Sequence, residues 1–120
     1  MKNENNKKLL SGICIHCADL YSPTKEYSIM KVWTDKINQE FLSQTIDEER
    51  LGIPVTGYMK ELDKEHSRAK SEIGFIKFIA NPIWSTLDLF FDHKLMVQLN
   101  NMEKNLKSWE KIVEKITKNE

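Results

Sequence analysis

A chain of 120 residues with 40% hydrophobic and 30% charged side chains has the size and composition of one small soluble domain, or of part of a larger one. Its 18 basic and 18 acidic residues balance, so the net charge gives no reason to expect nucleic acid or an anionic membrane surface as a partner. The segment after Met1 is polar, and the longest apolar run, 73–84, is interrupted by Lys77 and Asn81-Pro82. The sequence therefore predicts neither a secretory signal nor a membrane span, and we expect a cytoplasmic protein.

The two cysteines, Cys14 and Cys17, are three residues apart in a predicted helix. That spacing suits a disulfide poorly and favours reduced thiols. A zinc site built on this pair would need a second pair of ligands, and His66 and His93 are isolated in the sequence. The sequence therefore does not favour such a zinc site.

Helical signals cover most of the chain and strand signals are nearly absent, so we predict an all-α fold of four or five helices. A polar N-terminal tail, 1–8, precedes a short apolar helix at about 9–18. Ser22 and Pro23 have the form of a helix start, with Ser as the N-cap and Pro at the first helical position. The long helix that follows carries one apolar stripe, formed by Ile29, Trp33, Ile37 and Phe41.

Glycine and proline mark a loop at 52–57, after the long helix. A third helix is predicted at about 67–80 and a fourth from Pro82 to about Phe91. The residues expected on the buried face of the third helix are Ile73, Ile76 and Ile79.

The last helix is predicted to begin with Asp92 as its N-cap and to carry a heptad pattern over about three heptads. The pattern consists of Leu95, Leu99, Met102, Leu106, Trp109, Val113 and Ile116. Such a stripe either lies along the body of its own domain or pairs with a partner helix, and the sequence leaves both alternatives open.

Five short blocks of the sequence, separated along the chain, together match the pattern of a known family. They are His16-Cys17-Ala18-Asp19-Leu20-Tyr21-Ser22-Pro23-Thr24-Lys25, Trp33-Thr34-Asp35-Lys36-Ile37, Glu40-Phe41, Ile73-Gly74-Phe75-Ile76 and Pro82-Ile83-Trp84. These blocks resemble those of class I 3′,5′-cyclic-nucleotide phosphodiesterases, and they occur in the same order and at nearly the same spacing over about residues 10 to 110. The resemblance implies that 1–120 is a partial catalytic domain, the C-terminal subdomain of the multi-helix HD/PDEase-type catalytic fold.

In that family two His and two Asp hold zinc beside a second divalent metal, usually magnesium, and a bridging hydroxide attacks the cyclic phosphate. The resemblance implies that Asp19 is the second of those aspartates, although Asp19 also suits a plain helix cap. The other metal ligands and the catalytic histidine lie upstream in the family. We therefore assign no catalytic residue to this chain and expect an incomplete metal site. His16, which precedes Asp19 by three residues, is expected to pack in the core or to position a ligand.

The family also holds the flat purine between an apolar residue and a Phe, and the resemblance implies that Ile37 and Phe75 occupy those positions. Both residues suit a plain core role as well. Glu72 stands where the family has the glutamine that reads the purine. An amide donates and accepts, whereas an ionised carboxylate only accepts, so Glu72 puts ordinary base recognition in doubt. Ser22 replaces an Asn near the nucleotide, and Met30 replaces a Tyr at the pocket rim.

Three functional interpretations follow. The first is a fragment of a phosphodiesterase that, when complete, hydrolyses cAMP, cGMP or both to the 5′-monophosphate by a two-metal mechanism, with the chain inactive alone. Its expected partners are the cyclic nucleotide and the missing N-terminal half of the catalytic domain. The second is a non-catalytic binding module of the same origin that engages a partner helix through the stripe at 95–116. The third is an unrelated all-α structural protein.

Overall fold

The computed structural model describes residues 3–119, and within that range it contains helices and no strand. The α-helices are α1 (Glu4–Asp19), α2 (Tyr27–Arg50), α3 (Glu65–Phe75), α4 (Asn81–Phe90) and α5 (Met96–Thr117). Two 3₁₀ turns, Ser22–Thr24 and Gly57–Met59, and a π-helical turn, Ile76–Ala80, lie between them. The predicted all-α fold class is confirmed. None of the described helices is long and apolar enough to cross a bilayer.

Helix α1 is longer than the sequence predicts, because the polar segment that we expected to be a tail is helical from Glu4 onward. The Asn3 side chain accepts a hydrogen bond from the Asn5 backbone N–H at 2.9 Å and so caps the helix. An ion pair between Lys7 and Glu4, one turn apart, adds to the stability of the first turns. Met1 and Lys2, also in the predicted tail, lie outside the described residues.

The predicted N-cap role of Ser22 is wrong. Ser22 begins a 3₁₀ turn with Pro23 in its first positions, and α2 starts later, at Tyr27. Helix α5 holds this turn in place, because the Asn105 amide donates to the carbonyl oxygens of Pro23 and Lys25 at 2.8 Å each. The entry to α2 is therefore fixed by a distant helix and not by a local cap.

Helix α2 buries a different face from the one that its apolar stripe predicts. Its buried residues are Met30, Thr34, Asn38 and Thr45. Within the predicted stripe, Ile29, Trp33 and Ile37 keep 40–47% of their surface exposed. The stripe is displaced by one residue from the buried face, which carries two threonines and an asparagine. Met30, expected at a pocket rim, is fully buried in the core.

The third predicted helix is divided. Helix α3 ends at Phe75, and the π-helical turn then changes which residues face inward. Ile76 is buried as expected, Ile73 is partly buried, and Ile79 is 47% exposed, contrary to the prediction. Helix α4 begins at Asn81, with Pro82 in its first turn.

The connection between α4 and α5 does not use Asp92 as a cap. Asp92 and His93 both have positive φ values, and α5 begins four residues after Asp92. The buried Asp88 carboxylate holds the connection in place instead, just before α5 begins. It accepts hydrogen bonds from the Leu95 backbone N–H at 2.7 Å and from His93 Nδ1 at 2.8 Å.

The core lies between α3, α4 and α5 and is closed by the end of α1. Its buried side chains are Cys17, Met30, Ala69, Ile76, Ala80, Trp84, Leu87, Met102 and Trp109. Of the heptad stripe on α5, Met102 and Trp109 are buried and the other members are partly buried, so the stripe packs along its own domain. Both cysteines are free thiols, and burial raises the pKa of the Cys17 thiol.

Candidate functional site

A cavity of about 640 Å³ lies between the end of α1, α2, α3 and the π-helical turn. Its lining residues are Asp19, Leu20, Ser22, Thr34, Ile37, Asn38, Phe41, Tyr58, Lys70, Ser71, Glu72, Gly74, Phe75 and Ile79. All five site residues predicted from the sequence, Asp19, Ser22, Ile37, Glu72 and Phe75, are among them. Residues up to 56 positions apart in sequence thus meet at one concave surface of a size that suits a small-molecule ligand.

Asp19 is the last residue of α1, and the turn that follows it is held from both sides. The Leu20 N–H donates to the His16 carbonyl at 3.1 Å, and the Leu20 carbonyl accepts from Trp84 Nε1 at 3.3 Å. The buried Trp84 therefore fixes the turn that places Asp19 at the cavity. His16 is exposed and does not line the cavity, so the expected core position for His16 is wrong.

The walls of the cavity are largely apolar and aromatic. Ile37 and Phe41 lie one turn apart on α2, and Phe75 faces the same space from the end of α3. Tyr58 packs edge-on against Phe41, with ring centroids 6.0 Å apart and planes at 86°. Apolar side chains on opposite helices can enclose a flat ring and exclude water from its faces.

Glu72 places a carboxyl group among these apolar walls. Burial raises the pKa of the Glu72 carboxyl to about 7, the polar Thr34 hydroxyl nearby opposes the rise, and the Asp35 carboxylate adds to it. Near neutral pH the carboxyl is therefore divided between its protonated and ionised forms. The protonated form has one O–H donor besides its acceptor oxygen.

Asn38 is one of the cavity residues that sequence reasoning did not assign to the site. It retains 4% of its surface, and its Nδ2 group is buried without a hydrogen-bond partner. Thr34 lies one helical turn before Asn38, so both polar side chains are on the same face of α2 as the cavity. The sequence signal for these residues was a Thr and an Asn four positions apart on an amphipathic helix. A search for apolar periodicity does not detect such a pair, because it considers only the apolar residues.

The described residues do not by themselves fit a metal centre. No group of three or more His, Cys, Asp or Glu side chains comes together anywhere in residues 3–119. The carboxylates that line the cavity are Asp19 and Glu72, and no histidine lines it. A catalytic zinc takes three protein ligands, so no chemical step through a metal follows from these residues.

Comparison with known proteins places the chain in a family. The family model described as 3′5′-cyclic nucleotide phosphodiesterase matches residues 1–102. The chain therefore belongs to the 3′,5′-cyclic-nucleotide phosphodiesterase family, a family of hydrolases.

Curated relatives share this family. The chain is 32% identical over 117 residues to the probable 3′,5′-cyclic phosphodiesterase pde-3 of Caenorhabditis elegans, covering 92% of this chain and 17% of that protein. It is 38% identical over 73 residues to the mouse 3′,5′-cyclic-AMP phosphodiesterase 4C, covering 60% of this chain and 10% of the relative. It is 29% identical over 110 residues to the human high affinity cAMP-specific and IBMX-insensitive 3′,5′-cyclic phosphodiesterase 8A. That match covers 91% of this chain and 13% of the relative. The chain thus spans about a sixth or less of these relatives.

Solved structures show the same fold. The phosphodiesterase domain of the RhoPDE fusion protein from the choanoflagellate Salpingoeca rosetta superposes with a TM-score of 0.91 at 29% identity, covering 98% of this chain and 36% of that one. The structure of LmjPDEB1 in complex with IBMX superposes with a TM-score of 0.83 at 23% identity, covering 93% of this chain and 33% of that one. At this identity the match supports the fold alone.

Proposed function

We propose that residues 1–120 are part of a phosphodiesterase catalytic domain and form the nucleotide-binding side of its active site. The observation that carries this proposal is that Asp19, Ser22, Ile37, Glu72 and Phe75 line one cavity. The complete enzyme is proposed to hydrolyse cAMP, cGMP or both to the 5′-monophosphate with zinc and magnesium. The chain supplies one side of that site.

Each cavity residue has a proposed role. Asp19 is a hard oxygen ligand suited to a divalent cation that is completed by ligands from outside the described residues. Ile37 and Phe75 enclose the two faces of the purine, Glu72 meets its polar edge, and Ser22 contacts the nucleotide beside Asp19. Since the described residues do not complete a metal site, no residue of this chain is assigned to bond cleavage.

The alternative of a non-catalytic module engaging a partner helix is the weaker proposal. Its motivation was the stripe on α5, and that stripe packs on the core through Met102 and Trp109, which retain 1% and 2% of their surface. A helix whose central apolar residues are already covered has little apolar surface left for a partner. The cavity therefore supports the phosphodiesterase proposal best.

Calorimetric titration of the purified chain with cAMP tests this proposal. Stacking of a base on an aromatic ring is worth about 1–3 kcal/mol, so we expect Phe75→Ala to weaken binding by about tenfold or more. Phe78→Ala is the matched control, because Phe78 is 79% exposed and does not line the cavity. Equal affinities for the two variants, or no binding of cAMP by the wild-type chain, would contradict the proposal.

A further inference from the structure

The loop 20–25 joins the end of α1 to α2 and borders the cavity. Asp19 directly precedes the loop, and the loop residues Leu20 and Ser22 line the cavity. The 3₁₀ turn within the loop is three residues long, and so short a turn satisfies few of its own carbonyl groups. The conformation of the loop therefore depends on groups that lie outside it.

All six backbone carbonyl oxygens of the loop accept hydrogen bonds. Two of these bonds form within the loop, where the carbonyls of Tyr21 and Ser22 accept from backbone N–H groups of Thr24 and Lys25, at 2.9 and 3.2 Å respectively. The remaining four carbonyls, which accept from side chains on α4 and α5, are those of Leu20, Pro23, Thr24 and Lys25. Side chains of two later helices thus determine the path of a segment that borders the cavity.

Two asparagines one turn apart on α5 bind three of these carbonyl groups. The Asn105 amide donates to the carbonyl oxygens of Pro23 and Lys25 at 2.8 Å each, which uses both of its N–H groups. The Asn101 amide donates to the Thr24 carbonyl at 3.0 Å. Asn105 retains 1% of its surface, and neither asparagine lines the cavity. Their effect on a ligand in the cavity is therefore exerted through the loop.

Trp109 continues the same face of α5, four residues after Asn105. Its ring packs against the ring of Tyr27, with centroids 5.9 Å apart, and Lys31 Nζ lies 6.0 Å from its ring centroid. Tyr27 begins α2, the helix that contributes Ile37 to the cavity. One face of α5 thus holds both the loop and the first turns of α2.

We propose that Asn105, together with Asn101, is a positioning residue of the nucleotide site, which touches no ligand but holds the loop 20–25 in the conformation that the ligand requires. This inference rests on the proposed function, because it concerns the geometry of the same cavity. Without the Asn105 amide, two buried carbonyl groups lose their donors and the loop gains other conformations. Binding must then order the loop again, and ordering even one backbone residue costs about tenfold in affinity.

Calorimetric titration of the full chain with cAMP, at a temperature well below unfolding, tests the inference. We expect Asn105→Ala to weaken binding about tenfold. The matched control is Val113→Ala, because Val113 packs on the core about two turns further along α5. Both variants should lower the melting temperature by about 5 °C, but the control should keep its affinity within about twofold of the wild type.

The outcomes separate the inference from the proposed function. Wild-type affinity in Asn105→Ala, or equal losses of affinity in Asn105→Ala and Val113→Ala, would overturn the inference and leave the proposed function standing. Absence of cAMP binding by the wild-type chain would overturn the proposed function and the inference together.

Amide hydrogen exchange measures the loop itself without ligand. The N–H groups of Thr24 and Lys25, which bond within the loop, should exchange about tenfold faster in Asn105→Ala after correction for the acceleration of the α3 amides. In Val113→Ala the loop and α3 should accelerate by the same factor. Uniform acceleration in Asn105→Ala would assign Asn105 to overall stability alone and overturn the inference.

A milder pair of variants guards against loss of folding in Asn105→Ala. Asn101→Ala removes one hydrogen bond to the loop and should weaken cAMP binding about threefold. Asn100→Ala, at the exposed neighbouring position of α5, should bind as the wild type does. Equal affinities for these two variants would overturn the role of Asn101 in positioning the loop.

Discussion

At the scale of single residues, Glu72 carries both the main departure from the family pattern and the clearest electrostatic feature of the site. Reasoning from the sequence took Glu72 as an ionised acceptor, because an isolated glutamate has a pKa near 4.3. The environment of Glu72 raises that pKa to about 7, and burial is the largest cause. The position of Glu72 in the cavity followed from the family resemblance. Its protonation state did not, since it depends on how α2 covers α3.

The raised pKa of Glu72 predicts a dependence of stability on pH. In the unfolded chain the carboxyl ionises near its ordinary pKa of 4.5, whereas the folded chain keeps the proton until about pH 7. The stabilising effect of the folded environment is fully present below pH 4.5 and is lost as the pH rises to 7. Allowing for partial solvent access, we expect a loss of about 2 kcal/mol in the free energy of unfolding.

Urea denaturation of the wild-type chain and of Glu72→Gln at pH 5 and pH 8 measures this effect. The glutamine variant lacks the titrating group, so its unfolding free energy should exceed that of the wild type by more at pH 8 than at pH 5. Parallel pH profiles for the two proteins would show that Glu72 keeps an ordinary pKa.

At the scale of elements, the existence of the helices was predictable and their rotation was not. Apolar spacing identified the long helix α2 but assigned its stripe, which includes Ile29 and Trp33, to the wrong face. The buried face carries Thr34 and Asn38, and their position at the cavity is a tertiary feature that periodicity cannot register. Ile37 belongs to the exposed stripe and also lines the cavity, so the alternative of a plain core role loses support there.

The connection from α4 to α5 gives a prediction at the same scale. Asp88→Asn should reduce the free energy of unfolding by about 1–3 kcal/mol, because the buried carboxylate accepts from both Leu95 N–H and His93 Nδ1. Asp92→Asn is the matched control, because Asp92 is exposed and asparagine tolerates its left-handed backbone conformation. We expect that control to change stability by less than about 0.5 kcal/mol. Equal losses in thermal or urea unfolding would restore the cap role first assigned to Asp92.

At the scale of the whole molecule, the described chain is less compact than an independent domain of its length. Its radius of gyration is 16.9 Å, whereas about 13.6 Å is typical for 120 residues. Its shortest principal extent is 20 Å, which corresponds to about two layers of helices. Large apolar side chains such as Ile15, Leu89 and Val97 keep 65–71% of their surface exposed. Such a flat molecule with uncovered apolar residues supports the proposal of a partial domain.

The proposed partial site predicts that the purified chain does not hydrolyse cyclic nucleotides. Asp19 alone cannot hold a catalytic metal, because such a site takes about three protein ligands. Incubation with cAMP or cGMP in the presence of zinc and magnesium, followed by chromatography, should show no 5′-monophosphate above the enzyme-free control. Turnover that disappears on addition of a chelator would contradict the incomplete site.

The central claim is that one cavity, lined by Asp19, Ile37, Glu72 and Phe75, binds the nucleotide. Titration of the ¹⁵N-labelled chain with cAMP at pH 6, followed by amide chemical shifts, tests it most directly. The account predicts saturable shifts concentrated at 34–41 on α2 and 70–75 on α3, which form most of the cavity wall. A separate apolar groove lies between α1 and α4, lined by residues that include Leu10 and Phe90. Shifts confined to that groove, or the absence of any saturable shift, would contradict the account.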